Sequence, residues 1–253
     1  MHPHLKPNSS KRRIGAYLVL AGLALVSPQP LRSTDVNLPF NPRNFSSPLN
    51  INNPLFPLAA GKTYTYLGNG TDGCEQDRMA ITNQTKFIAG VTARVVHDQV
   101  LVGATCSSRM VLAEDTYDWY AQDNNGNVWY LGENSKECDM AGHCVPSAGS
   151  WQAGVNGARA GIIMLISPHK GDHYYQEFSA GVAEDQATVS GVGLTVRLTR
   201  PDGYPPRLFT NCISTREYTK LEPSANGYKY YCPGIGDVME DEKDLHSELI
   251  SIR

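Results

Sequence analysis

From Gly61 onward the chain is a succession of short β-favouring runs, each cut off by turn residues before a helix could form. The runs are KTYTYL, MAITNQTKFI, TARVVHDQVLV, DTYDWYAQ, NVWYLGE, GIIMLIS, YYQEFSAGV, QATVSGV, LTVRL, RLFTNCIST and YKYYC. Each is rich in β-branched and aromatic residues. No window carries a 3.6-residue apolar stripe longer than two turns, so helices have little claim on this sequence. The 23 glycines and 16 prolines supply the punctuation. The pattern predicts a single all-β domain over 59–253, its antiparallel hairpins closing into an open barrel or sandwich. Gly191-x-Gly193 reads as a turn between two of the runs, and the acidic stretch VMEDEKDLHSELISIR as a loop followed by a last strand.

Ahead of this domain lie two segments of different character. Lys11, Arg12 and Arg13 precede the apolar run Ile14–Val26, the basic and apolar regions of a secretory signal peptide over 1–26. As a helix this run would span about 20 Å, short of the roughly 30 Å hydrocarbon core of a bilayer. Its lack of amphipathic period argues against a buried core helix. Cleavage is expected between Ala24 and Ser33, with a Sec-type rather than twin-arginine route, because Gly15 and Ala16 follow the arginine pair. Residues 27–58 then carry prolines at 28, 30, 39, 42, 48, 54 and 57, each of which removes a donor and disfavours helix. They read as an extended arm anchored by Phe40, Phe45 and Phe56. No later stretch is long enough for a membrane span, and the expected location is secreted or periplasmic.

Six cysteines in an exported chain point to disulfides. Six allow fifteen connectivities, which local geometry narrows. If the two runs around Ala89–Val91 pair through a tight loop, Cys74 falls opposite Cys106. Cys138 and Cys144 bracket the short loop DMAGH, and Cys212 and Cys232 sit on neighbouring predicted strands. The competing reading is a soft-metal cluster of Cys138, Met140, His143 and Cys144. It lacks a fourth strong ligand and the paired spacing of zinc folds. No C-x-x-C is present for thiol exchange.

Asn125-Gly126 marks a hairpin between two aromatic strands. Read as a two-residue loop, it sets Gln122 opposite Trp129, Tyr120 opposite Leu131, Asp118 opposite Glu133 and Asp115 opposite Lys136. Trp119, Ala121 and Tyr130 fall on the other face. Large aromatics then occupy both faces, so one packs in the core while the other is covered or lines a cavity. Trp119, Tyr120, Trp129 and Tyr130 are therefore the candidate ligand-binding residues. Opposed Asp118 and Glu133 repel unless protonated, bridged or screened. They are the candidate catalytic pair, since carboxylates flanked by aromatics build glycosidase clefts; the plainer reading turns both toward solvent or structural donors.

Other constellations are weaker. His169 and His173 have the spacing of helix-borne metal ligands, but Pro168 and Gly171 oppose a helix there, and no metal site is assigned. DNNGN departs from a calcium loop at its sixth and twelfth positions, Val128 and Asn134. His97 and Asp98 read as the polar face of one strand. Asn44, Asn69 and Asn83 lie in N-x-[ST] sequons. The sequence has no nucleophile elbow, phosphate loop or dinucleotide fingerprint, so no cofactor is called for. With 22 basic and 25 acidic residues it has no footprint for nucleic acid.

The segments NPLFPLAAGKTYTY, DTYDWYAQDNNGNVWYLGE, GSWQAGVNGARAGIIM and KYYCPGIGDVME resemble a family of uncharacterised exported bacterial proteins. The resemblance spans about 53–250, and the DWYAQD…GNVWY…GE block is its most specific part. It implies a bacterial, extracytoplasmic, β-rich protein and assigns no activity. The expected function is a non-catalytic binding module for a small apolar or carbohydrate-like ligand or a surface partner. The alternatives are a hydrolase using Asp118 and Glu133, or a metal-binding protein.

Overall fold

The computed structural model describes residues 34–71, 73–199 and 206–253; the expected signal segment lies outside them. The chain is nearly all β, as the alternation of apolar and polar residues requires. Sixteen strands form: β1 (Thr34–Asp35), β2 (Thr63–Gly70), β3 (Gly73–Ile88), β4 (Val91–Gly103), β5 (Val111–Gln122), β6 (Val128–Cys138), β7 (Cys144–Pro146), β8 (Trp151–Gln152), β9 (Arg159–Met164), β10 (Asp172–Tyr175), β11 (Glu177–Phe178), β12 (Asp185–Leu198), β13 (Arg207–Thr219), β14 (Asn226–Cys232), β15 (Gly236–Glu242) and β16 (Leu245–Ile252). They join one sheet in the order β1-β10-β12-β13-β14-β15-β16-β2-β3-β4-β5-β6-β9-β11, with β7 and β8 also on β6. Pairing is antiparallel except between β1 and β10. The sheet curls until β9 touches β10 and β11 touches β12, yet no ladder joins β9 to β10. It is an open barrel with a seam.

Gly161 shows how tightly the seam is drawn. A Cβ at this position would lie 2.1 Å from the Gln176 carbonyl oxygen, so only glycine lets β9 come this close to the end of β10.

Two details differ from the sequence reading. Gly191 and Gly193 do not end a strand; they form irregularities inside the continuous β12, where Gly193 takes φ +66°. The acidic stretch forms a hairpin, β15 with β16, and not a loop before one strand. β16 then pairs with β2 and so joins the two halves of the sheet.

All three expected disulfides are present: Cys74–Cys106, Cys138–Cys144 and Cys212–Cys232. The register argument for the first was mistaken, however. The β3–β4 turn is the two residues Ala89 and Gly90, so Ile88 faces Val91, and an irregularity between Ile81 and Thr85 slips the ladder further, so Cys74 faces Gly103. Cys106 reaches it from the turn beyond β4, with the Cα atoms 5.0 Å apart. Cys138 and Cys144 are direct cross-strand partners.

Residues 34–58 run over the sheet and are stitched to the β5–β6 hairpin. Asn124 N–H donates to the Asn44 carbonyl and Gln122 N–H to that of Pro48, while the Gln122 side chain accepts from the amides of Asn52 and Asn53. Asn53, fully buried, donates to the carbonyls of Gly126 and Leu165. Phe40 and Phe45 set ring edges against Trp129 at 5.4 and 6.2 Å, and Phe56 packs on Tyr120 inside the barrel at 5.5 Å.

Candidate functional site

The β5–β6 hairpin positions most of the residues singled out from sequence, with one correction. Its loop has three residues, not two: Gly126 N–H donates to the Asp123 carbonyl, and Asp123 N–H to that of Asn127. Gly126 takes φ +92°, the arrangement of a turn closed by a glycine bulge. Near the loop the partners are therefore Ala121 with Trp129 and Tyr120 with Tyr130. A bulge at Leu131–Gly132, where Gly132 takes φ +130°, then inserts one residue into β6. Beyond it Asp118 faces Glu133 and Asp115 faces Lys136, as expected. The agent of the longer loop is Asp123. Its buried carboxylate accepts from the amides of Asn125 and Asn127, each at 2.9 Å, from the Asn127 side chain at 3.1 Å and from the Trp129 indole at 2.9 Å.

The four aromatic candidates separate onto two sides of the sheet. Tyr120 and Tyr130 face the barrel interior as a stacked cross-strand pair, centroids 4.7 Å apart. Trp119 and Trp129 face the other way. The Lys86 ammonium sits 3.2 Å from the centre of Trp119, and the arm covers Trp129. All four are buried, so none offers an open stacking face as an isolated side chain would.

Asp118 and Glu133 do come together. The Tyr130 hydroxyl donates to Asp118 at 2.5 Å and lies 3.0 Å from Glu133. Burial, then the charges of Asp98 and Glu133, holds the Asp118 carboxyl well above the usual range against the bond from Tyr130. The pair belongs to a larger inward-facing set. Asp77 on β3 is raised by burial and by Asp98 on β4. Each of these two aspartates has a buried Oδ1 without a hydrogen-bond partner. His97 and Asp98 thus lie on opposite faces, His97 bonding Asp115 outside at 2.7 Å.

Across the barrel, Glu217 accepts from Gln176, Thr215 and Tyr231, and Lys229 bridges it to Glu240, 3.0 Å away. These groups are held by surrounding protein yet still touch water, in a polar cleft of about 220 Å³ at one end of the barrel. Burial opposes the Lys229 charge, but Glu240 and Glu217 outweigh it and raise its pKa. A satisfied ion pair and saturated acceptors make this a structural network first.

A second cleft, about 470 Å³, lies on the seam. The arm between Val36 and Phe40 forms one wall. Trp129, Arg159, Tyr174, Tyr175 and Phe178 contribute to the rest. Tyr175 and Phe178 meet edge to face at 5.3 Å, and the Arg159 guanidinium lies 3.9 Å over Phe178, its cross-strand partner. Of the sequence candidates only Trp129 reaches this cleft. Arg159, Tyr175 and Phe178 gave no signal in sequence, because the seam that assembles them is non-local.

The histidine and cysteine candidates do not form a metal centre. Cys138 and Cys144 are consumed by their disulfide, and exposed His143 bonds Asp139. His169 sits beside Asp172, while His173 bonds Asp35 and Gln186. Among the described residues no group of three or more His, Cys, Asp or Glu is disposed to hold a metal ion. No helix among them is long and apolar enough to cross a membrane.

No protein-family profile and no curated protein matches the chain. Among solved structures it is similar to a candidate lipoprotein from Parabacteroides distasonis, at 10% identity and TM-score 0.38, over 79% of this chain and 98% of that one. Likeness at that level leaves the seam cleft and the inward carboxylates to speak for themselves.

Proposed function

We propose that the protein is an extracytoplasmic binding module that holds a small apolar or carbohydrate-like molecule in the seam cleft. The observation that carries the reading is the cleft itself. It measures about 470 Å³, within the span of small-molecule sites, and the rings of Phe40, Tyr175 and Phe178 stand in its wall beside a few polar side chains. Three disulfides support an oxidising compartment, in keeping with the signal-like segment and the resemblance to exported bacterial proteins. The hydrolase reading has less support. Asp118 and Glu133 line neither cleft described above, and Tyr130 bonds both. The test is a ligand-observed NMR screen of neutral aromatic and monosaccharide fragments against the wild type and Tyr175→Ala, which removes a half-buried ring from the cleft wall. Binding to the wild type that is lost in the truncated variant is expected. Fragments that bind both proteins equally refute the assignment of the cleft.

A further inference from the structure

Resting on the reading of the seam cleft as a binding site, we infer that its ligand carries an anionic group, a carboxylate or its equivalent, received by Arg159. Arg159 is the single charged side chain in the wall of the cleft. It sits on the seam-side strand β9, exposed, with the centre of its guanidinium 3.9 Å from the centre of the Phe178 ring. A contact of this kind does not use the N–H donors. No hydrogen bond or ion pair occupies those donors among the described residues. The neighbouring acid is directed elsewhere: Glu177 precedes Phe178 in β11 and faces the interior, where its charge acts on Tyr120 and Tyr130. A planar cation so held matches a carboxylate bidentately. The half-buried rings of Tyr175 and Phe178, with Phe40 on the arm side of the cleft, take the rest of the molecule. The ligand class is therefore a small ring-bearing acid, aromatic or sugar-derived. The chain as a whole is net negative, −3, so selection of an anion is local to this cleft.

The test uses two matched pairs of probes, 3-phenylpropionate with 3-phenylpropionamide and galacturonate with galactose, titrated into the full chain with its disulfides intact. At least one acid is expected to bind about tenfold more tightly than its neutral partner, as suits a partly exposed charge-assisted pair. Arg159→Gln should bring the acid down to the affinity of its neutral partner and so remove that ratio. Arg159 is exposed, so the variant should fold, and circular dichroism with the melting temperature checks this. The preference between the two acids tells aromatic from sugar-derived ligands. Equal binding of acid and neutral partner, or a ratio that survives Arg159→Gln, overturns the anion assignment while the cleft remains a binding site. Silence from all four probes overturns the assignment too; the cleft reading then stands or falls on the separate neutral-fragment comparison with Tyr175→Ala.

Discussion

Replacing Asp123 by alanine tests whether one carboxylate sets the geometry of the central hairpin. Asp123 is 7% exposed and serves four donors. Three of these, the Asn127 amide, the Asn127 side-chain amide and the Trp129 indole, are buried with it. Removing the acceptor leaves all three without that partner, at about 1–3 kcal/mol each, or about 3–9 kcal/mol together. The Asn125 amide is nearer the surface and can turn to water at little cost. Asp123→Asn keeps one carbonyl oxygen for the two backbone amides but presents an amide to the indole, so its loss should be about half as large. The assay is urea unfolding with disulfides intact, read by tryptophan fluorescence and circular dichroism. Trp129 also forms part of the seam cleft, so the alanine variant should weaken any ligand bound there. A loss below about 1 kcal/mol for Asp123→Ala would show that the glycine bulge holds the loop alone and refute the reasoning.

Two further outcomes follow from the packing and the charges. Asp77, Asp118 and Asp237 have pKa values raised well above their ordinary range by burial first and then by neighbouring carboxylates. Groups raised on folding contribute stability that is complete below their unfolded pKa and is lost as pH rises through the folded value. Glu240, held low by Lys229 despite burial, acts the other way but is outnumbered. The melting temperature should therefore fall as pH rises above the ordinary carboxylate range, and Asp77→Asn should flatten that fall; a rise with pH there contradicts the reading of these carboxyls as raised. Gly161→Ala forces a methyl into the Gln176 backbone and should cost about 1–3 kcal/mol in denaturant unfolding, since neither strand can yield without opening the seam.

Much of the fold was legible because it is written locally. The β-favouring runs became strands, and the disulfides join residues that short loops or adjacent strands already bring near. Register was less legible. Asn125-Gly126 suggests a two-residue loop, but the Asp123 side chain draws Asn124 into it, and the bulge at Gly132 restores the pairing further out. Two compensating irregularities explain why Asp118 and Glu133 were matched correctly while Tyr120 and Trp129 were not. The inward acid Asp77 gave no signal, and Asp98 reads as part of a polar face with His97, because alternation alone sends polar residues to solvent. It does not anticipate a barrel wide enough to take carboxyls inside. The seam cleft was hidden for a different reason: Phe40, Trp129, Arg159 and Phe178 converge only when the sheet curls.

The place of β16 in the sheet order has a consequence for assembly. Leu245–Ile252 lies between β15 and β2, so among the described residues it couples the run β2–β6 to the run β12–β15, each built mostly from strands that are neighbours along the chain, with no other ladder between them. Each system can form early from near neighbours. Their union waits on a strand some 180 residues downstream of its partner, a closure of large entropic cost. Until residues 245–252 have been made and docked, the unpaired flank of β2 stays available to other chains. Chains cut short before Leu245 should on this logic aggregate as two half-sheets, which makes this strand the keystone of the barrel.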